Sequence, residues 1–374
     1  MAVIYGVGTS NFGRQPHLTG AQLAHAAVVE ALADADVSSV DAVYGGTVFG
    51  GPGTIQRATQ TLGITGVPIL TFENACATGT TAFHEAVQAI DSGRYGKVLC
   101  LGIETMTTRF RGPILPEKDD PEGNTGLGMP GIYAMTASRY GSLYDVDLDD
   151  LALVAVKNRS HGAGNERAQH GHIASREEIL ASRMIADPLT LMQCCDISDA
   201  AAAAIIGPER GNARDISVRG SVLKSGGLWD HRSPHPWGFE LVSATAQELW
   251  EQTGISPSDI DLFEVHDAFT IGEIITTEGL GLAQPGGGID LVKSGHTTLG
   301  GTQPVNPSGG LLSRGHPLGA TGLAQIAEAT WQLRGDAGKR QVEGARLAAV
   351  ETMGGGTAGI DGNGCVVAVL EKTR

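Results

Sequence analysis

Positive charge is scarce in this sequence. Lysine and arginine number 26 against 41 aspartates and glutamates, a formal net charge of −15. Nucleic acid and anionic membrane surfaces need a basic patch, so neither is a principal partner. A local basic pocket for a phosphorylated ligand is still allowed. Long apolar runs are missing too: the longest, residues 200–206, falls far short of the roughly 20 residues that cross a bilayer. The opening Met1-Ala2-Val3-Ile4-Tyr5-Gly6 has neither a cationic segment nor an apolar core, so no secretory leader is expected. Cysteines number five, odd and irregularly spaced, which excludes a disulfide framework and points to a reducing cytoplasm. The 54 glycines follow no Gly-X-Y period, which excludes collagen and leaves tight turns and close backbone approaches.

What is present is a folded α/β pattern. The 374 residues, 41% of them hydrophobic, suffice for two or three domains or one two-lobed unit with a large core. Strand-like runs at 98–101, 262–265, 347–350 and 366–370 alternate with helical stretches. Residues 21–34 and 80–90 read as helices. The second carries Phe83, Ala86, Val87 and Ile90 at helical spacing, with Gly93 as its stop. Such strands are expected to be covered on both faces.

The chain also repeats itself. Residues 36–44 follow one helix and residues 254–263 follow another with a similar Ser/Asp/Val pattern. Ile103-Glu104-Thr105-Met106 closes one unit and Val350-Glu351-Thr352-Met353 the other; a helix opening with Thr-Gly precedes each, at Thr78-Gly79 and Thr321-Gly322. The shared order makes this two copies of one α/β unit. Between them, roughly 110–193, lies a polar, glycine-rich stretch carrying Arg139, Lys157, Arg159, Arg167, Arg176 and Arg183, which reads as an inserted lobe.

Four places have the makings of chemistry. Asn74-Ala75-Cys76-Ala77-Thr78-Gly79 sets Cys76 between a strand-like run (67–72) and a helix start, where free N–H groups and the helix dipole favour a thiolate. The alternative is a buried structural cysteine, the reading that fits Cys100, Cys365, Cys194 and Cys195. Gly315-His316-Pro317-Leu318-Gly319 precedes a helix over 323–333, and His316 falls close to the repeat position of Cys76. A cysteine and a histidine at facing helix starts provide a nucleophile and a base; a turn histidine is the alternative. His266-Asp267-Ala268-Phe269 ends a strand, where α/β sheets gather ligands, or is a structural turn. Residues 354–359 match G-x-G-x-x-G, but a strand follows, so no dinucleotide site is expected. That loop can instead offer N–H groups to an oxyanion, with Gly354 first in line. The remaining histidines, His161 among them, read as solvated, and no zinc spacing is present, so no metal is expected.

These motifs together resemble the thiolase superfamily, and within it the sterol-carrier-protein-type thiolases, over nearly the whole chain. Asn-Ala-Cys76 resembles the nucleophile motif, 306–310 with 315–322 the Gly-His-Pro motif, and 266–269 the His-Asp-Cys-Phe motif. Residues 354–356 resemble the terminal glycine loop, and 195–199 the return from the inserted lobe. The resemblance implies two similar βαβαβ halves in a five-layered α/β/α/β/α core. Residues 1–109 with 194–240 would form the N-terminal half, 110–193 the loop domain, and 241–374 the C-terminal half. It further implies acyl-CoA substrates, coenzyme A as co-substrate with no tightly bound cofactor, and a homodimeric core.

By the same resemblance Cys76 attacks a carbonyl and carries the acyl group, and His316 takes the thiol proton. His266 holds a water, and the N–H groups of Cys76 and Gly354 hold the acyl-enzyme oxyanion. Two departures stand out. Thr352 and Ala268 occupy the positions where thiolases keep a second, acid/base cysteine. Glu273, His316 or another cysteine then has to handle the proton. Three functions follow: a thiolase-like acyl-CoA C-acyltransferase, a retro-aldolase on a bulky β-hydroxyacyl-CoA, or a non-catalytic acyl-CoA-binding subunit. Family members lacking that cysteine can work with a small zinc-ribbon/OB-fold protein. Met129, Tyr133, Met135 and Trp237 are expected to line the acyl pocket.

Overall fold

In the computed structural model, residues 1–115 and 117–373 are described. The first half runs β1 (Ala2–Thr9), α1 (Gly20–Ala35), β2 (Ala42–Gly46), α2 (Thr54–Thr61), β3 (Ile69–Phe72), α3 (Thr78–Asp91) and β4 (Val98–Thr105). The inserted lobe contributes α4 (Pro121–Thr125), α5 (Met129–Tyr144), α6 (Ala152–Gly162) and α7 (Arg176–Ala181). A small hairpin of β5 (Met184–Ala186) and β6 (Leu189–Thr190) completes it. The chain re-enters the core as β7 (Asp199–Pro208). It continues through β8 (Ile216–Lys224), α8 (Phe239–Thr253), β9 (Leu262–Glu264), α9 (Thr270–Gly279), α10 (Gly288–Lys293), α11 (Gly310–Arg314) and α12 (Leu318–Arg334). β10 (Leu347–Gly354) and β11 (Gly364–Lys372) close the chain.

The repeat is visible in the strand order, β3-β2-β4-β7-β1-β8-β11-β10-β9. Read outward from the middle, β1-β7-β4-β2 and β8-β11-β10-β9 are the same arrangement. In each, the outer pair is parallel and the remaining pairs are antiparallel. The fifth strand of the second copy has shrunk to one parallel bridge, Phe263 with Val305, where the first has β3. Within the sheet the copies pair through Val3 with Ser217 and Ile4 with Ile216. In this correspondence β8 is the counterpart of β1.

Alternation along β7 shows how the layers form. Ala200, Ala202 and Ala204 face a core shared with α3, α12 and strands of both copies. Ala201, Ala203 and Ile205 face α1 on the other side. The opposite face of the second copy packs on α8. Buried on both faces, the strands read as continuous apolar runs. Helix α3 buries Phe83, Ala86, Val87 and Ile90, as its spacing predicts. Helix α12 begins five residues earlier than expected, at Leu318, so Thr321-Gly322 lies within its first turns rather than opening it.

The starts of α3 and α12 meet closely enough to require glycine. A Cβ on Gly79 would lie 3.0 Å from Gly319 O and from Leu323 N, and one on Gly102 would lie 2.2 Å from Gly319 O. This approach brings the two motif-bearing turns together.

Candidate active site

Cys76 sits on a turn held from several directions. Ala75 before it takes φ 48°, a left-handed conformation that costs an L-residue roughly 1–2 kcal/mol. The turn is fixed by Ala77 N–H to Asn74 O (3.0 Å) and Thr78 N–H to Ala75 O (3.1 Å). The Thr78 hydroxyl donates to Ala75 O (2.7 Å) and accepts from Asn74 N–H (2.9 Å). The end of β10 nests against it: a Cβ on Gly354 would strike Asn74 O at 2.1 Å, so only glycine fits.

His316 lies opposite, with Nε2 3.2 Å from the Cys76 sulfur. Its Nδ1 is 2.8 Å from the Thr321 hydroxyl, which donates to Pro317 O at 3.0 Å. That hydroxyl has its proton committed, so it accepts from Nδ1–H. The tautomer this assigns leaves the Nε2 lone pair facing the thiol. Thr321 was read from sequence only as part of a Thr-Gly helix signal; its i+5 relation to His316 is what marks it.

His266 stands beside them, its ring centroid 5.2 Å from that of His316. Its backbone N–H donates to buried Glu351 at 3.0 Å, while its Nε2 has no partner among the described residues. One donor atom from each of Cys76, His266 and His316 lies within 4.8 Å of the others. The structure thus brings together three of the four residues singled out, and Gly354 adjoins them. The loop amide in hydrogen-bonding relation to the sulfur belongs to Gly355, one residue beyond Gly354.

The electrostatics differ from the helix-dipole expectation. Burial pushes the Cys76 thiol up to about 12, outweighing the Gly355 and Cys76 N–H groups that favour a thiolate. Burial, with His266 and Arg314 adding to it, holds His316 well below the usual histidine range. His266 is lowered to about 3 by burial. Both shifts favour a neutral thiol beside a neutral imidazole over a thiolate–imidazolium pair.

Matching glutamates of the two copies brace this arrangement. Glu104 accepts from the N–H groups of Val48, Phe49 and Gly319, fixing the start of α12 beside His316. Glu351 accepts from His266 N–H and from the Cys365 thiol, and burial raises it to about 7. The sequence displays both as a repeated Glu-Thr-Met; their bonding partners come from distant segments.

Two expectations, those for Glu273 and His161, need correction. Glu273 is fully buried and bound to Lys157 (2.9 Å), Asn158 (2.8 Å) and Asn306 (2.9 Å), so it is a structural anchor rather than a proton carrier. His161 is buried, bonded through Nδ1 to Asn306 O and through Nε2 to Leu299 N–H. Thr352 donates to Gln325 at 2.5 Å and is fully buried, turned into the core shared with α12. Asn306, φ 56°, also caps β9 by accepting from Val265 N–H at 2.8 Å, which explains why one bridge replaces a strand there.

A groove of about 210 Å³ is lined by Ile132, Met135, Arg139, Trp229 and Trp237. A smaller recess beyond Trp237 reaches His266 past Tyr133 and Met353. Tyr133 stacks on Phe269, and Met129 approaches Gly355. No described helix is long and apolar enough to cross a membrane.

Comparison with known proteins agrees with this geometry. Residues 3–210 match the thiolase N-terminal domain and 230–360 the thiolase C-terminal domain-like family. The chain is 37% identical to Sterol carrier protein 2 of Homo sapiens, over 99% of this chain and 71% of that one. It is 37% identical to an Acetyl-CoA acetyltransferase of Methanothermobacter thermautotrophicus (96% and 97% covered). It is 38% identical to Benzoylsuccinyl-CoA thiolase subunit BbsB of Thauera aromatica (94% of each). Among solved structures, the Ltp2-ChsH2(DUF35) aldolase superposes with a TM-score of 0.84 at 25% identity, covering 100% of this chain and 98% of that one. With its duplicated core and both family domains matched in order, this chain belongs to the thiolase family.

Proposed function

We propose that the chain is an acyl-CoA C-acyltransferase acting through a Cys76 acyl-enzyme, by thiolytic cleavage of a β-ketoacyl-CoA or, in the opposite direction, Claisen condensation to form one. Thiolase-family chains are acyltransferases, and this one is an enzyme of that class. The observation that carries the finer reading is the 3.2 Å contact from His316 Nε2 to the Cys76 thiol, with Nδ1 engaged by Thr321. A neutral pair of this kind transfers its proton as the sulfur attacks, so no buried thiolate has to exist beforehand.

Cys76 sulfur adds to the β-carbonyl carbon while its proton passes to His316 Nε2. The N–H groups of Cys76 and of the Gly354–Gly355 turn receive the oxyanion. As the C–C bond breaks, its electron pair moves to the α-carbon of the leaving thioester. His316, now protonated, and a water held by His266 stabilise that enolate. CoA thiol then takes the acyl group from Cys76. The groove lined by Trp229, Trp237 and Met135 fits a bulky acyl group.

The test is intact-protein mass after incubation with a panel of acyl-CoA and β-ketoacyl-CoA thioesters. An adduct on wild type and none on Cys76→Ala is the expected result. Binding without any adduct would favour retro-aldol cleavage, which needs no thiol; the solved neighbour named an aldolase gives that second reading its weight. A non-catalytic acyl-CoA-binding subunit would bind thioesters and turn none over.

The reading extends to organisation. Residues 110–193 form the substrate-covering lobe between two halves, coenzyme A serves as co-substrate, and the core is a homodimer. A zinc-ribbon/OB-fold partner helps hold the acyl-CoA; a neighbour whose name includes a DUF35 component and a relative named as a subunit support it. Full activity of the chain alone, unchanged by a co-expressed partner, would remove that part.

A further inference from the structure

The family's second thiol is missing from both its usual positions, yet the α-carbon must still gain or lose a proton. Resting on the acyl-enzyme reading above, we infer that Cys195 is the second catalytic thiol, delivered to the site from the neighbouring segment. Cys195 N–H donates to Ala268 O at 2.8 Å, so its backbone runs directly against one of the vacated positions. Cys194 bridges Phe269 on one side; Ile197 bridges His316 on the other, and His316 N–H donates to Asp196 O. Residue 195 therefore lies where the His266 and His316 motifs are laced together.

The other thiols behave differently. Those of Cys100, Cys194 and Cys365 each donate to a fixed acceptor: Ala82 O, Thr190 O and Glu351. Cys195 has no such acceptor among the described residues and keeps some accessible surface. His266 Nε2, 97% buried by its residue's exposure of 3% and without a partner, adds a ligand-seeking group to the same cluster.

Burial keeps the Cys195 thiol protonated, as an acid that serves a carbanion must be. During cleavage the S–H bond of Cys195 breaks and its proton joins the α-carbon, releasing the shortened acyl-CoA. The resulting thiolate takes the proton of the incoming CoA thiol, whose sulfur attacks the acyl group on Cys76. Cys76 leaves as a thiolate and recovers its proton from His316. Protons and electron pairs balance without any further reactant.

The experiment uses acetyl-CoA in D2O with the full chain, reading the Cys76 adduct and α-deuteration of acetyl-CoA separately by mass. Cys195→Ala is expected still to reach the Cys76 adduct, more slowly because departing CoA loses its proton donor, while losing at least 100-fold in α-exchange. Ala268→Cys in that background restores exchange by returning a thiol to the adjacent strand position, and Cys194→Ala changes neither readout. Unimpaired exchange in Cys195→Ala, with the adduct intact, overturns the assignment of Cys195 alone. Failure of wild type to form any adduct overturns the acyl-enzyme reading, and the Cys195 step with it. Loss of the adduct in Cys195→Ala but not in Cys194→Ala would make Cys195 a structural residue and also overturn the assignment.

Discussion

Thr321 accepts the Nδ1 proton of His316 at 2.8 Å and gives its own to Pro317 O, one turn back along α12. A base whose tautomer is fixed this way needs a second residue to be correct. Thr321→Val, of similar shape, is expected to lower kcat by roughly 10- to 100-fold with little change in KM, from losing a hydrogen bond that steadies the reacting tautomer. Thr321→Ser should retain most activity, since it keeps the oxygen. Equal loss in both variants would show that packing, not the hydroxyl, matters.

The carboxyl of Glu351 gives a pH-dependent stability signature. Burial raises it to about 7, so the folded protein holds this proton more tightly than the unfolded chain. Its contribution is full below the unfolded carboxylate range near 4.5 and is lost as pH rises to about 7. Glu351→Gln, which stays neutral, should gain melting temperature relative to wild type between pH 5 and pH 8 and then level off. At ~1.4 kcal/mol per pKa unit, the full swing is a few kcal/mol. A difference that stays flat with pH would place the proton elsewhere.

Gly102 sets the distance between β4 and the start of α12. Its added methyl would lie 2.2 Å from Gly319 O and 2.7 Å from Ala320 Cα, both backbone atoms. Gly102→Ala is expected to destabilise by about 1–3 kcal/mol, as overpacking does. Because the displaced turn bears His316, turnover should fall as well. Wild-type urea midpoint and turnover together would contradict this.

The triad of Cys76, His266 and His316 has one soft and two nitrogen donors within 4.8 Å. That set suits Zn²⁺. Micromolar Zn²⁺ should therefore inhibit, with activity restored by EDTA, and Cys76→Ala should bind the ion more weakly by calorimetry. Unchanged Zn²⁺ affinity in Cys76→Ala would locate the ion away from the sulfur.

What could be read in advance was local. The Cys76 turn, the glycine around His316 and the helical spacing of α3 are short patterns whose physics acts over a few residues. The repeat showed through because Glu104 and Glu351 keep the same neighbours. What stayed hidden depends on contacts between distant segments. Nothing near Cys76 announces that β10 and α12 leave it only partly exposed, surroundings that favour a thiol over the expected thiolate. Lys157 and His161 looked like polar lobe residues until α9 and residues 305–306 surrounded them. Thr321 and Asn306 act through a tautomer and a strand edge, which no propensity encodes.

The distance in sequence between Cys76 and His316 bears on how the molecule comes into being. Cys76 emerges during synthesis some 240 residues ahead of the histidine that holds it. Until α12 and β10 arrive, its sulfur stands in water, with the ordinary acidity of an exposed cysteine and open to oxidation. Glu104 likewise waits for Gly319 before its set of donors is complete. Docking of the second copy therefore completes the surroundings of the nucleophile. Peroxide is expected to oxidise Cys76 faster in ribosome-bound or partly denatured chains than in the folded protein, where it is only partly exposed.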